Sequence, residues 1–257
     1  MAENTETLCQ SIAQYMQLRL NIRTEYVTGI PWQERERRFD QGEIQILWLC
    51  GWPYVEKTAH ADSNLEMLVV PVPAGVRYQG RPVYFSDVVV RRDSRFKSFA
   101  DLRGAAWAYN EPRSHSGYNV VRAYLAGLGY RNGFFGAVVE SGAHAQSVEM
   151  ILGGAVDGAA IDATVLEWLV DQREELTEQI RVIDTLGPSP IPPWVISTQV
   201  AIELRSAIRE LFLTMHMDRL GRDMLNRGRL EKFVAGSDRE YDPIRRMARA
   251  AEQVLLV

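Results

Sequence analysis

Apolar residues recur along this chain with two alternating periods. Leu8, Ile12, Tyr15, Met16 and Leu20 fall three and four residues apart, which predicts a helix over residues 5–20. Residues 23–27 read as a strand, and residues 32–41 as an amphipathic helix whose Arg and Glu residues form a solvated face. Residues 44–49 read as a strand ending at Cys50-Gly51-Trp52-Pro53-Tyr54. Residues 65–72 and the β-branched run 83–90 are further strands, with turn-rich sequence between them. Three strand-to-helix units follow over residues 99–183. Their helices carry Tyr118, Val121, Leu125 and Leu128, then Val148, Ile151 and Leu152, then Val165, Leu166 and Leu169. Pro188, Pro190, Pro192 and Pro193 exclude helix and predict an extended crossing. Two helices close the chain, over residues 201–217 and 243–255.

This alternation predicts an α/β protein with mostly parallel sheets flanked by helices. The strand at 83–90 and the crossing at 188–193 read as two passages between the same two lobes. Residues 1–90 and 188–257 would form a discontinuous first lobe, and residues 91–187 an inserted second lobe. A ligand cleft with hinge closure is expected between them.

Composition narrows the possibilities. With 257 residues, 46% of them hydrophobic, the chain can bury a substantial core. A net charge of -4 and a pI near 5.7 argue against nucleic acid as a partner. No run reaches the roughly 18 apolar residues of a membrane span. The opening Met-Ala-Glu-Asn-Thr-Glu-Thr has neither a basic n-region nor a long apolar stretch, so as written no secretory signal is expected. Cys9 and Cys50 stand alone in apolar settings and read as small buried residues.

The candidate chemistry lies where the three units pass from strand to helix. The first such turn is Asn110-Glu111-Pro112-Arg113-Ser114-His115-Ser116-Gly117-Tyr118. Ser114 and Ser116 are good helix caps, and Gly117 permits close approach to the backbone. Amide groups and hydroxyls at a helix N-terminus bind an anion without a lysine. The second turn carries His144 and the third Asp162. In open parallel sheets such turns converge at the carboxyl ends of the strands. Glu111 is a weaker acidic candidate. His115, His144 and Asp162 lack metal-ligand spacing, and no nucleophile elbow, Walker A sequence or dinucleotide fingerprint is present. No cofactor is expected.

Several segments together carry a family resemblance. They are residues 80–94, Ser98-Phe99-Ala100-Asp101-Leu102-Arg103-Gly104, Ser114-His115-Ser116-Gly117-Tyr118, Ser141-Gly142-Ala143-His144, residues 154–162 and the proline-rich crossing. In order, they resemble the phosphate/phosphite/phosphonate-type substrate-binding proteins of ABC importers. The resemblance implies a two-lobed type II periplasmic-binding fold that captures one small anionic ligand and performs no chemistry. It implies that Ser114, His115 and Ser116 hold the anionic head, with His144, Asp162, Tyr54 and, less directly, Tyr84 around it. An ABC permease, or a sensor protein, would be the partner, and the location periplasmic or extracytoplasmic.

Two features depart from the family. His115 stands where the family has Thr or Ser. The family also begins with a strand ahead of the first helix, central to the first lobe's sheet, whereas this chain starts near that helix. Either another segment fills that place or more chain precedes it. The alternative reading is a cytosolic enzyme on the same fold, with His115, His144, Glu111 and Asp162 as acid–base candidates; a ligand-sensing module is a third.

Overall fold

In the computed structural model, which describes residues 5–256, the alternating periods become nineteen α-helices and strands. In chain order they are α1 (Glu6–Leu20), α2 (Trp32–Asp40), β1 (Ile46–Trp48), α3 (Gly51–Thr58), β2 (Leu65–Pro73), β3 (Val83–Arg91), β4 (Ala106–Tyr109), α4 (Val120–Gly127), β5 (Ala137–Glu140), α5 (His144–Leu152), β6 (Gly158–Asp162), α6 (Ala163–Gln172), α7 (Leu176–Gln179), β7 (Ile180–Pro190), β8 (Trp194–Ser197), α8 (Ile202–Thr214), α9 (Arg219–Arg227), β9 (Leu230–Val234) and α10 (Asp242–Ala250). Most of the opening heptapeptide read for a secretory signal, residues 1–4, lies outside the described residues, as does residue 257.

These elements divide into two compact units. The first comprises residues 5–83 and Pro190–Tyr241, and the second Tyr84–Ser189 and residues 242–256. The chain therefore passes between them at 83/84, 189/190 and 241/242.

The sheet of the first unit has the order β1-β8-β2-β9. Parallel neighbours were expected here, but every neighbouring pair is antiparallel, because the returning β8 inserts between β1 and β2. Leu8, Ile12, Tyr15 and Met16 of α1 and Ile208 and Phe212 of α8 cover one face and pack on Leu68, Val69 and Trp194. Arg209 stitches α8 to β2, donating to the carbonyls of Met67 (2.6 Å) and Leu68 (3.1 Å).

Two local expectations fail in this unit. Residues 23–27 carry no regular secondary structure and join no sheet. A groove of about 530 Å3, lined by Ile22, Tyr26, Ile46, Trp48 and Trp194 among others, lies along both this segment and β1. A segment that a groove separates from the nearest strand forms no ladder with it. The Trp52-Pro53-Tyr54 stretch is helical, not a strand end: Pro53 falls in the first turn of α3, where no backbone donor is needed.

The sheet of the second unit has the order β5-β4-β6-β3-β7. Here the parallel expectation holds for β5, β4 and β6, while β3 runs antiparallel to β6. Alternation along the strands splits the core into two layers. Val88, Val90 and Trp107 face Phe99, Phe135, Val121 and Leu125, while Val89, Ala108 and Ile161 face Val148, Ile151, Val165 and Leu169. The last helix was expected in the first lobe. Instead its segment packs here, with Met247, Val254 and Leu256 against the Trp107 layer and the Arg122 guanidinium donating to the carbonyls of Ala251 (2.6 Å) and Val254 (2.7 Å). Its amphipathic face fits either sheet by period alone, and Arg122 lies in the second unit.

Candidate functional site

The parallel register brings three strand ends to one edge of the second sheet. Tyr109 stands beside Glu140, and Ala108 beside Ala159, so β4, β5 and β6 deliver Asn110, Ser141 and Asp162 to the same side. The first two turns are joined directly. The amides of Ser141 and Gly142 donate to the carbonyls of Tyr109 and Asn110, each at 2.8 Å. β6, which ends in Asp162, packs against the first turn.

That first turn is wider than an ordinary helix start. The Asn119 amide reaches back five residues to the Ser114 carbonyl at 3.0 Å, giving a single π-helical turn over His115–Asn119 before α4 begins. Such turns are rare and cluster at functional sites. Ser114 caps it, its Oγ accepting from the Gly117 amide at 3.1 Å. Gly117 is required for room: a Cβ there would stand 2.0 Å from Asn110 Oδ1 and 3.2 Å from His144 Cε1. Ser114, His115, Ser116 and Gly117 are all buried.

Ser116 and His144 form a pair, Oγ to Nε2, at 2.9 Å. His144 opens α5 and is only 8% exposed, yet its Nδ1 has no hydrogen-bond partner. Burial pushes its pKa down to about 4, so the ring is neutral at physiological pH. A neutral imidazole and a hydroxyl hold two exchangeable protons between them, and their mutual bond uses one. With the Ser116 hydroxyl donating to Nε2, the ring proton sits on the unpartnered Nδ1; in the other tautomer the hydroxyl proton remains, with Ser114 Oγ 3.4 Å away, and in neither does the pair carry charge. Asn110 Oδ1, beside Gly117, is likewise buried without a partner. The sequence pattern by itself assigns Asn110 no role; its position directly after β4 is the signal that marks it.

The other candidates fall in different surroundings. His115 is wholly buried, with both ring nitrogens engaged by protein: Nε2 with Ser189 Oγ at 2.9 Å and Nδ1 with Asn119 Nδ2 at 3.1 Å. Burial lowers its pKa to about 3. Tyr84 is buried with its ring 6.4 Å from that of His115. Asp162 caps α6, its Oδ1 accepting from the Thr164 amide (2.9 Å) and hydroxyl (2.7 Å). Although Asp162 is not fully buried, protein crowds its carboxyl, and desolvation, opposed by the Thr164 bonds, raises its pKa to about 6. Glu111 is half-buried, and its carbonyl accepts from the Ser114 amide at 3.1 Å. Tyr54 belongs to the first unit, where it is buried, donates to Asp238 Oδ1 at 3.0 Å and packs on Tyr241.

Two units, one built on an antiparallel and one on a mixed sheet, each with flanking helices, are the fold of the type II periplasmic binding proteins. A binding component of an ABC phosphonate transporter from Pseudomonas aeruginosa superposes with a TM-score of 0.85 at 19% identity, over 98% of this chain and 83% of that one. PhnD1 of Prochlorococcus marinus, solved with methylphosphonate, gives 0.84 at 14% identity, over 98% and 96%. The aliphatic sulphonate binding protein SsuA of Escherichia coli gives 0.62 at 15% identity, over 95% and 82%. The chain belongs to the family of ABC-transporter phosphonate periplasmic substrate-binding proteins, whose model matches residues 1–241. It is therefore a substrate-binding protein and not an enzyme, and the family implies a small ligand and a permease partner. Among the described residues no helix is long and apolar enough to cross a membrane.

Proposed function

We propose that this protein captures a small phosphonate-type anion at the Ser114–Gly117 turn, with Ser116, His144 and Asn110 as the groups that meet it or shape its seat. The Ser116–His144 pair carries this reading: buried, neutral, fixed in place, and with one proton left to donate. A dianionic head accepts such hydrogen bonds strongly because its own charge assists them. The N-terminus of α5 adds partial positive charge. Asp162 supplies the counterweight. Ionised, it repels a fully ionised head; protonated, as it becomes near pH 6, it donates to one. Tyr54, Tyr84 and Glu111 complete the proposed set as walls and acceptors. His115 supports the turn from within.

The ligand class follows from the family and from methylphosphonate in the Prochlorococcus marinus protein. A periplasmic or extracytoplasmic location and delivery to an ABC permease belong to the same reading.

Calorimetric titration with methylphosphonate, phosphite, phosphate and methanesulfonate tests it. Saturable binding of the phosphorus oxyanions is expected. A ligand at a hundredfold excess over Kd stabilises the native state by about 2.7 kcal/mol, readable as a rise in Tm. Absence of heat and of any Tm shift with all four compounds overturns the reading.

A further inference from the structure

His115 is wholly buried in the turn, and its hydrogen-bond partners, Ser189 and Asn119, lie outside the Ser116–His144 pair. With Asn119 Nδ2 donating to Nδ1, the ring proton belongs on Nε2, facing Ser189 Oγ at 2.9 Å. Asn119 is part of the turn itself, its amide bonded to the Ser114 carbonyl. Ser189 is the last residue of the second unit before the chain passes to Pro190, and Tyr84 is the first after it arrives from Val83. One side chain in the turn thus reaches both of these points of passage, by a hydrogen bond at 189 and a ring contact at 84. A shorter side chain at 115, such as threonine, ends well short of Ser189.

We propose that His115 is a positioning residue for anion capture: its two hydrogen bonds fix the Ser114–Gly117 turn against Ser189, so the turn's donors are set before a ligand arrives and are tied to the 189/190 passage. This rests on the reading of the turn as the anion site. The ring acts as a spacer of fixed length and contributes no charge. Its neighbours Ser189, Asn119 and Tyr84 are uncharged as well.

Two readouts test it in the full-length protein. The first is hydrogen exchange without ligand. Ser189→Ala and His115→Asn should speed exchange of the Asn119 amide several-fold, whereas His115→Gln, whose amide extends toward Ser189, should leave it near wild type. The second is the Kd for methylphosphonate. Each of the first two variants should weaken binding by roughly three- to tenfold, the worth of one buried hydrogen bond. The double variant should be no weaker than the weaker single, the signature of a shared interaction. Unchanged Asn119 exchange in Ser189→Ala, or losses in affinity that multiply, would overturn the proposal. If His115→Asn does not fold, Ser189→Ala removes only a hydroxyl and carries both readouts. Wild-type protein that binds no phosphonate sinks the functional reading alone; the exchange comparison still decides the role of His115.

Discussion

Gly117 and the two buried histidines show how much of this site is set by space and by missing charge. With a Cβ at 117 only 2.0 Å from Asn110 Oδ1, Gly117→Ala must displace either the turn or the asparagine. We expect methylphosphonate affinity to fall by at least about tenfold with the circular dichroism spectrum unchanged, since both groups belong to the proposed seat. Titration behaviour gives a second test. Both imidazoles are depressed by burial, to about 3 and about 4, so an unfolded chain takes up their protons first as pH falls below about 6.5. Acid therefore removes stability at both. Asp162 has the opposite sign: its folded pKa of about 6 lies above the ordinary 3.8, so the folded state takes up that proton first. Asp162→Asn should then steepen the acid loss between about pH 6 and pH 4 by one proton, on the order of 1.4 kcal/mol per pH unit. Denaturant midpoints across that range check it, and parallel curves for the two proteins would refute it. At this scale the sequence was a partial guide. Ser114, Ser116 and His144 could be read from cap chemistry and the family pattern. The inward orientation of His115 could not, because its partner Ser189 is 74 residues away.

Elements were legible where one period ran long enough to be unambiguous. Helix α1, strands β2 and β3 and the three βα units follow from spacing alone, since their apolar faces are the ones the sheets bury. Shorter elements escaped. Strand β9, Leu230–Val234, breaks the period of two with the adjacent charges Glu231 and Lys232, a charged edge with little apolar signal. Helix α3 was hidden by its proline. The segment at 23–27 reads as a strand but pairs with none, and pairing cannot be read from one segment by itself. Cys9 offers a test at this scale. It lies inside α1 against the sheet, and desolvation by burial pushes its thiol up to about 12. It should alkylate far more slowly than the half-buried Cys50. Mass spectrometry after a timed iodoacetamide pulse would resolve the two, and equal labelling would contradict the burial.

For the whole molecule, the passages of the chain matter more than any one contact. Residues 242–256 complete the second unit although all of its sheet lies before residue 191. Ile244 and Ala251 are wholly buried, and Val254 and Leu256 join the Trp107 layer. Removal of residues 242–257 should lower the Tm of the second unit and abolish phosphonate binding, although none of the proposed ligand groups is deleted. Differential scanning calorimetry with and without methylphosphonate would measure both effects, and a truncated protein that binds normally would show the tail to be dispensable. The alternation of strands and helices announced an α/β protein. It could not assign the last helix, because an amphipathic face records how much it must bury and not which sheet it covers.

This closure by residues 242–256 also bears on how the protein is made. A chain leaves the ribosome N-terminus first, and domains tend to fold as they emerge. Here the first unit waits for Pro190–Tyr241 and the second for Val254 and Leu256, so neither has its full core until a segment far along the chain has emerged. Until then Trp107 and Phe135 lack part of their cover, and the nascent chain presents sticky surface to whatever chaperone attends it.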